Sequence, residues 1–215
     1  VLLYSIFYFL STENGMNFTA DSRQYLNIAE QIYQNGFTSV WKNEKLVYWP
    51  PLFPVVLSIS HNFGGVVFIK YLHFFLGVSL IVLWGKLSFK VVRQYNQRYM
   101  FMMLLALSTH LLMVSVFIWS ELLFMVLLGI FLVCIQNYVN TMEKSLLLVS
   151  IVPAFLMMVE RNAGIFIYVA AIISMICFRC FSKKHIWHVV LVVGISISGF
   201  VIWNLHSIVL EGRLY

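Results

Sequence analysis

Val66-Val-Phe-Ile-Lys70-Tyr-Leu-His-Phe-Phe-Leu-Gly-Val-Ser-Leu80-Ile-Val-Leu-Trp84 decides the fold. It carries one charge, Lys70, near its start. A helix needs about 20 consecutive apolar residues to cross the hydrocarbon core of a bilayer, so this run reads as a membrane span. Runs of the same character follow at 99–117, 122–138, 145–159, 164–181 and 186–207. The expected fold class is all-α, a polytopic transmembrane helix bundle with about six spans over 66–207, judged by run length.

Composition agrees. Hydrophobic residues make up 61% of the chain and charged residues 10%, where a soluble domain carries about 25% charged residues. A globule of this size has to cover its surface with polar groups, and this chain lacks them. The net charge of +6 would point to nucleic acid in a soluble protein. Here it is explained by basic residues gathering in cytoplasmic loops, so membrane lipids and no nucleic acid are the expected partners. The chain opens inside an apolar run, 1–10, about half the length of a span. It reads as one transmembrane domain, 1–215, truncated at both ends. Cys177-Phe-Arg-Cys180 has metal-ligand spacing, but no second pair or nearby His completes a site, and Cys134 lies alone in an apolar run.

The polar stretch 11–50 reads as an extracytoplasmic loop. Residues 51–65 are too short to cross and read as a juxtamembrane or re-entrant segment. With the loop outside, the inner side holds Lys86, Lys90, Arg93, Arg98, Lys144, Arg179, Lys183 and Lys184, and one acid, Glu143. The outer side holds Arg23, Lys42, Lys45, Lys70, Arg161 and Arg213 against Glu13, Asp21, Glu30, Glu44, Glu121, Glu160 and Glu211. The positive-inside rule favours this orientation over its mirror image. Within the loop, Tyr25, Ile28, Ala29 and Ile32 share one helical face and Gly36 is placed to end the helix. An amphipathic helix lying on the outer membrane surface is expected.

Asp21, Glu121 and the pair Glu160-Arg161 all fall at the outer boundary. Ionisable groups at membrane depth cost several kcal/mol unless paired or hydrated, so three such places on one side suggest a polar cavity opening outward. Each has a plainer explanation. Asp21-Ser-Arg-Gln24 fits a capping box, which makes Asp21 a helix cap. Glu121 and Arg161 form a structural pair between neighbouring spans, or reach to the interface. His73 and His110 stand alone on apolar faces and read as satisfied core histidines. The sequence carries no phosphate-binding Gly-rich loop, no His-Glu-x-x-His and no Gly-x-Ser-x-Gly. Asn17-Phe-Thr19 matches a glycosylation acceptor, a weak three-residue pattern.

An ordered set of motifs resembles the GT-C class of glycosyltransferases, which use lipid-phosphate-linked sugars as protein O-mannosyltransferases and the aminoarabinose transferase of lipid A do. The set begins with Asp21-Ser-Arg-Gln-Tyr25-Leu-Asn-Ile-Ala29 and Asn35-Gly36, followed by Trp49-Pro50-Pro51-Leu52-Phe53-Pro54. Ser120-Glu121-Leu-Leu-Phe124 and Glu160-Arg161-Asn-Ala-Gly164 come next, then Trp203-Asn204 and Glu211-Gly212-Arg213. The resemblance runs over nearly the whole chain and corresponds to the amino-terminal half of a typical member. Two departures stand out. Many members have Asp-Glu where this chain has Asp21-Ser22, and the usual Arg before Asn204 is replaced by Trp203.

The resemblance implies transfer of a sugar, with inversion, from a polyprenyl-phosphate-linked donor to an acceptor protein or lipid glycan on the extracytoplasmic side. A bacterial plasma membrane is the expected location. Asp21 resembles the general base or orienting group for the acceptor hydroxyl. Arg161, with Arg213 second, would meet the donor phosphate, since a guanidinium matches phosphate oxygens bidentately. Glu121 would orient Arg161 or contact the sugar, and Glu160 belongs to the same set. Some members use a divalent cation, but Asp21 without a neighbouring acid is a poor site for one. The rival readings are a transporter or flippase of a lipid-linked substrate, disfavoured by the absence of an internal repeat, and a non-catalytic membrane scaffold.

Overall fold

The structure, a computed structural model, describes residues 1–39, 50–177 and 186–211, with the side chains of 175–177 and 207–211 excepted. The described residues are predominantly helical and form no β-strand, so the all-α expectation holds. The helices are α1 (Leu2–Ser11), α2 (Ala20–Asn35), α3 (Leu52–Ile59), α4 (Val66–Val91), α5 (Tyr95–Ala106), α6 (Thr109–Val116), α7 (Glu121–Thr141), α8 (Lys144–Val149), α9 (Ile151–Glu160), α10 (Gly164–Cys177) and α11 (Ile186–Glu211). Among the described residues four stretches are long and apolar enough to cross a membrane: Val66–Val91, Tyr95–Val116, Glu121–Thr141 and Ile186–His206.

The physical mark of a bilayer environment is clearest on α4. It buries Ile69, His73, Gly77, Leu80 and Ile81. It exposes Val67, Tyr71, Phe75, Val82 and Phe89 at helical spacing. A helix of a soluble protein turns a polar face outward, whereas this one is apolar on both sides.

Two of the expected spans are interrupted. The run 99–117 breaks between α5 and α6, where Ser108 is extended (φ −62, ψ 118) and its hydroxyl accepts the Leu111 N–H at 3.3 Å. That cap competes with continuation of the helix. The run 145–159 bends between α8 and α9 at Ser150, which stays in the right-handed region (φ −64, ψ −15). Pro153 follows three residues later and has no N–H to give Val149, which removes one rung of the ladder.

The chain divides into two compact units: Val1–Lys42 with Phe53–Gly129, and Asn43–Leu52 with Ile130–Tyr215. In the first, α1 packs on α4. The Tyr8 hydroxyl donates to the Lys70 carbonyl at 2.7 Å, and Lys70 Nζ donates back to the Thr12 carbonyl at 2.6 Å, satisfying the end of α1. Gly77 lies directly under the Tyr4 hydroxyl, where a Cβ would collide. In the second unit α9 packs on α11 at Gly199, whose missing side chain admits Phe155 and Val159. Gly164 starts α10 where a Cβ would come within 2.8 Å of the Met157 carbonyl oxygen, closing a tight α9–α10 turn.

Candidate functional site

The start of α2 is fixed first by its own sequence. Thr19, extended at φ −111 and ψ 179, is the N-cap. Its Oγ1 accepts the Ser22 N–H at 3.2 Å, while Ser22 Oγ accepts the Thr19 N–H at 3.1 Å. This capping box corrects the expectation that Asp21 is the cap: the box lies two residues earlier, with Ser22 in the place usually held by Glu or Gln. Gly36 ends the helix as expected, at φ 76, its N–H donating to the Ile32 carbonyl at 2.9 Å.

Tyr25, Ile28, Ala29 and Ile32 do form the buried face of α2. That face, however, is covered by the protein's own first unit rather than lying on lipid. The Tyr25 ring meets Phe53 edge-on with centroids 5.0 Å apart, and its hydroxyl shares a hydrogen bond of 3.1 Å with Ser120 Oγ. Trp119 Nε1 donates to Thr19 Oγ1 at 2.9 Å. The Asn17 N–H donates to the Val116 carbonyl at 3.1 Å in a single parallel bridge between Asn17 and Phe117. Residues 17–25 are therefore laced to 116–120, and the starts of α2 and α7 are brought together.

Each of these two helix starts carries an acid. Asp21 lies in the first turn of α2 and is exposed, with no hydrogen bond or ion pair among the described residues. Glu121 is the first residue of α7 and is half-buried, with a contact of its own. An acidic side chain suits the electropositive end of a helix, so neither position is electrostatically awkward. The far end of α2 is held separately. His61 Nε2 lies 3.2 Å from Glu30 Oε2, the Tyr33 ring stacks on His61 with centroids 4.8 Å apart, and Gln34 donates to Glu30.

Glu160 and Arg161 belong to the second unit. Glu160 is buried in the last turn of α9, and Arg161 leaves that helix in extended conformation (φ −151, ψ 137) and is half-buried. A carboxylate at the C-terminal end of a helix is opposed by the helix dipole and by burial, so it needs compensation. Both residues have interaction partners. Trp203, Asn204 and His206 are buried on α11 of the same unit, the Asn204 amide donating to the Phe200 carbonyl at 2.9 Å.

No family model, curated protein or solved structure matches the chain.

Other sequence expectations fare unevenly. Arg213 lies outside the described residues, as do Trp49 and Cys180. His73 is fully buried, its ring edge-on to Phe53 at 6.0 Å, but neither ring nitrogen makes a hydrogen bond of normal geometry. It is a core histidine without the expected satisfaction. His110 is exposed in the first turn of α6, within the apolar stretch Tyr95–Val116, and so is not the core histidine expected. Thr19 of the glycosylation pattern is committed to the cap and to Trp119, while Asn17 is exposed. No group of three His, Cys, Asp or Glu side chains that could hold a metal ion occurs among the described residues. The ties through Trp119, Ser120 and Thr19 were missed by sequence reasoning. A Trp-Ser pair ahead of an apolar run was their only local signal.

Proposed function

We propose that this chain is the amino-terminal part of a GT-C-type glycosyltransferase, moving a sugar from a polyprenyl-phosphate donor to an acceptor hydroxyl on the extracytoplasmic face of a membrane. The observation that carries the reading is the state of Asp21. It is an exposed carboxylate with no protein partner among the described residues, on a helix start that two side-chain hydrogen bonds tie to the approach to α7. Thr19 does the capping, so the Asp21 carboxylate at the electropositive start of α2 is left open to solvent and to an acceptor.

In the proposed reaction Asp21 takes the proton of the acceptor hydroxyl as its oxygen attacks the anomeric carbon. The bond from that carbon to the donor phosphate oxygen breaks, and the phosphate departs with the electron pair. A phosphate leaving group has a low pKa and needs charge stabilisation more than a proton. Assignment of Arg161 and Glu160 to the donor, and of Glu121 to orientation or sugar contact, rests on the motif resemblance alone.

The test is sugar transfer from membrane lipid extract by the natural full-length protein, wild type against Asp21→Asn at matched folded amounts. Loss of transfer in the variant, by a factor of about 100 or more for removal of a general base, supports the reading. Unchanged transfer removes Asp21 from the chemistry. A wild type that transfers from no donor lipid, yet carries a lipid-linked substrate across vesicles, is a transporter instead.

A further inference from the structure

The inner end of the first unit holds a second feature that glycosyl transfer does not use. Lys86 and Lys90 stand one turn apart on α4, Arg93 follows just past its end, and Arg98 lies in the first turn of α5. No acidic residue occurs between Glu44 and Glu121, so this basic end has none of its own to neutralise it. Arg98 is committed to building the turn. Its Nε donates to the Val92 carbonyl at 2.6 Å, and its guanidinium lies over the Phe89 ring at 5.3 Å. Lys86 and Arg93 are exposed and have no hydrogen bond or ion pair among the described residues.

The aromatic residues fix the depth of this turn. Tyr95 and Tyr99 are both exposed on the first turns of α5, their rings edge-on at 4.9 Å and their hydroxyls 2.9 Å apart. Beyond them α5 buries no residue and presents Met100, Met103 and Leu104 outward. Tyrosine collects at the level of lipid headgroups, where its ring meets hydrocarbon and its hydroxyl meets water. The stripe below the tyrosines is thus the acyl-chain level; Arg93 stands above it at the phosphates, while Lys86, next to Gly85 at the level of Met102, reaches them along its long side chain.

The geometry points to an anionic-phospholipid site at the α4–α5 turn, with Lys86 and Arg93 as its headgroup contacts and Tyr95 and Tyr99 as its interfacial anchor. The positive-inside rule accounts for the sign of the loop but does not require bound lipid. The added observation is a turn braced by Arg98 that holds two uncommitted cations beside an exposed tyrosine pair. This inference rests on the chain lying in a bilayer and is independent of the transfer chemistry.

The full chain in detergent is titrated with phosphatidylglycerol or phosphatidylcholine, and bound lipid is counted by native mass spectrometry. The wild type is expected to prefer phosphatidylglycerol. At about 1 kcal/mol per surface cation, Lys86→Gln with Arg93→Gln lowers that preference roughly thirtyfold. The charge-preserving pair Lys86→Arg with Arg93→Lys keeps it, and so does Lys144→Gln, an exposed cation elsewhere. Equal binding of the two lipids by the wild type overturns the inference, as does an equal loss in Lys144→Gln. Displacement of the lipid by glycerol 3-phosphate at matched concentration also overturns it, by making the site a pocket for free phosphate.

Discussion

Trp119 and Thr19 are joined by a hydrogen bond of 2.9 Å across one hundred positions of sequence. The same Thr19 oxygen accepts the N–H of Ser22, the third residue of α2. One hydroxyl therefore starts the loop helix and anchors it to the approach to α7. Removing it deletes a cap, worth about 1 kcal/mol, and strands an indole donor, at about 1–3 kcal/mol if water cannot reach it. Thr19→Ala is expected to lower stability by roughly 2 kcal/mol, and Thr19→Ser by much less. Thermal unfolding of the two variants in detergent checks the order. Equal losses would mean that the methyl group matters and the hydroxyl does not.

Asp21 is expected to behave in the opposite way. It is exposed and is not the cap, so Asp21→Asn should change stability by less than about 0.5 kcal/mol, the residue of a screened helix-dipole term. The same unfolding measurement applies. A loss as large as that of Thr19→Ala would return Asp21 to a structural role.

What the sequence revealed here was local and periodic. The apolar face of α2 and its stop at Gly36 were both legible, because helical spacing and a left-handed glycine leave direct marks. The bend at Ser150 was also within reach, since Pro153 announces a missing N–H. The break at Ser108 was not, because neither Pro nor Gly marks it and a serine inside an apolar run is usually tolerated. The cover over α2 was beyond any window. Phe53 and Ser120 lie tens of residues downstream, and the same amphipathic pattern serves a lipid surface equally well. Whether Asp21 caps α2 was open in the sequence because Asp, Ser and Thr all suit that place, and backbone angles gave the cap to Thr19.

Gly77 gives a prediction with a built-in control. Its Cβ would run into the Tyr4 hydroxyl, so Gly77→Ala should cost about 1–3 kcal/mol through overpacking between α4 and α1. Tyr4→Phe removes the nearest atom but keeps Cζ, 2.5 Å from the added Cβ, so it should restore only part of the loss, whereas Tyr4→Leu, which removes the ring, should restore more of the clash term. A double-mutant cycle by thermal unfolding measures the coupling, and strict additivity would show that the two residues do not meet.

Gly164 and Gly199 should differ in a definite order. A Cβ at Gly164 meets the Met157 carbonyl oxygen at 2.8 Å, and backbone cannot step aside. At Gly199 the neighbours are Val159 Cγ2 at 2.9 Å and the Phe155 ring at 3.0 Å, side chains that can shift. Gly164→Ala is expected to lose roughly 2 kcal/mol or more and Gly199→Ala about half of that, by the usual cost of overpacking. Unfolding midpoints in the reverse order would contradict this geometry.

The clasp between α1 and Lys70 sets a timetable for synthesis. Tyr8 waits for a carbonyl 62 positions later, and the Thr12 carbonyl waits for an ammonium on that same residue. Translation at about 5–20 residues per second puts roughly 3–12 s between the two. Through that interval α1 lacks both Lys70 contacts, and the Thr12 carbonyl is held only by the Gly15 N–H at 3.1 Å. α1 is thus locked in place only when α4 arrives, and the insertion machinery has to shelter it until then.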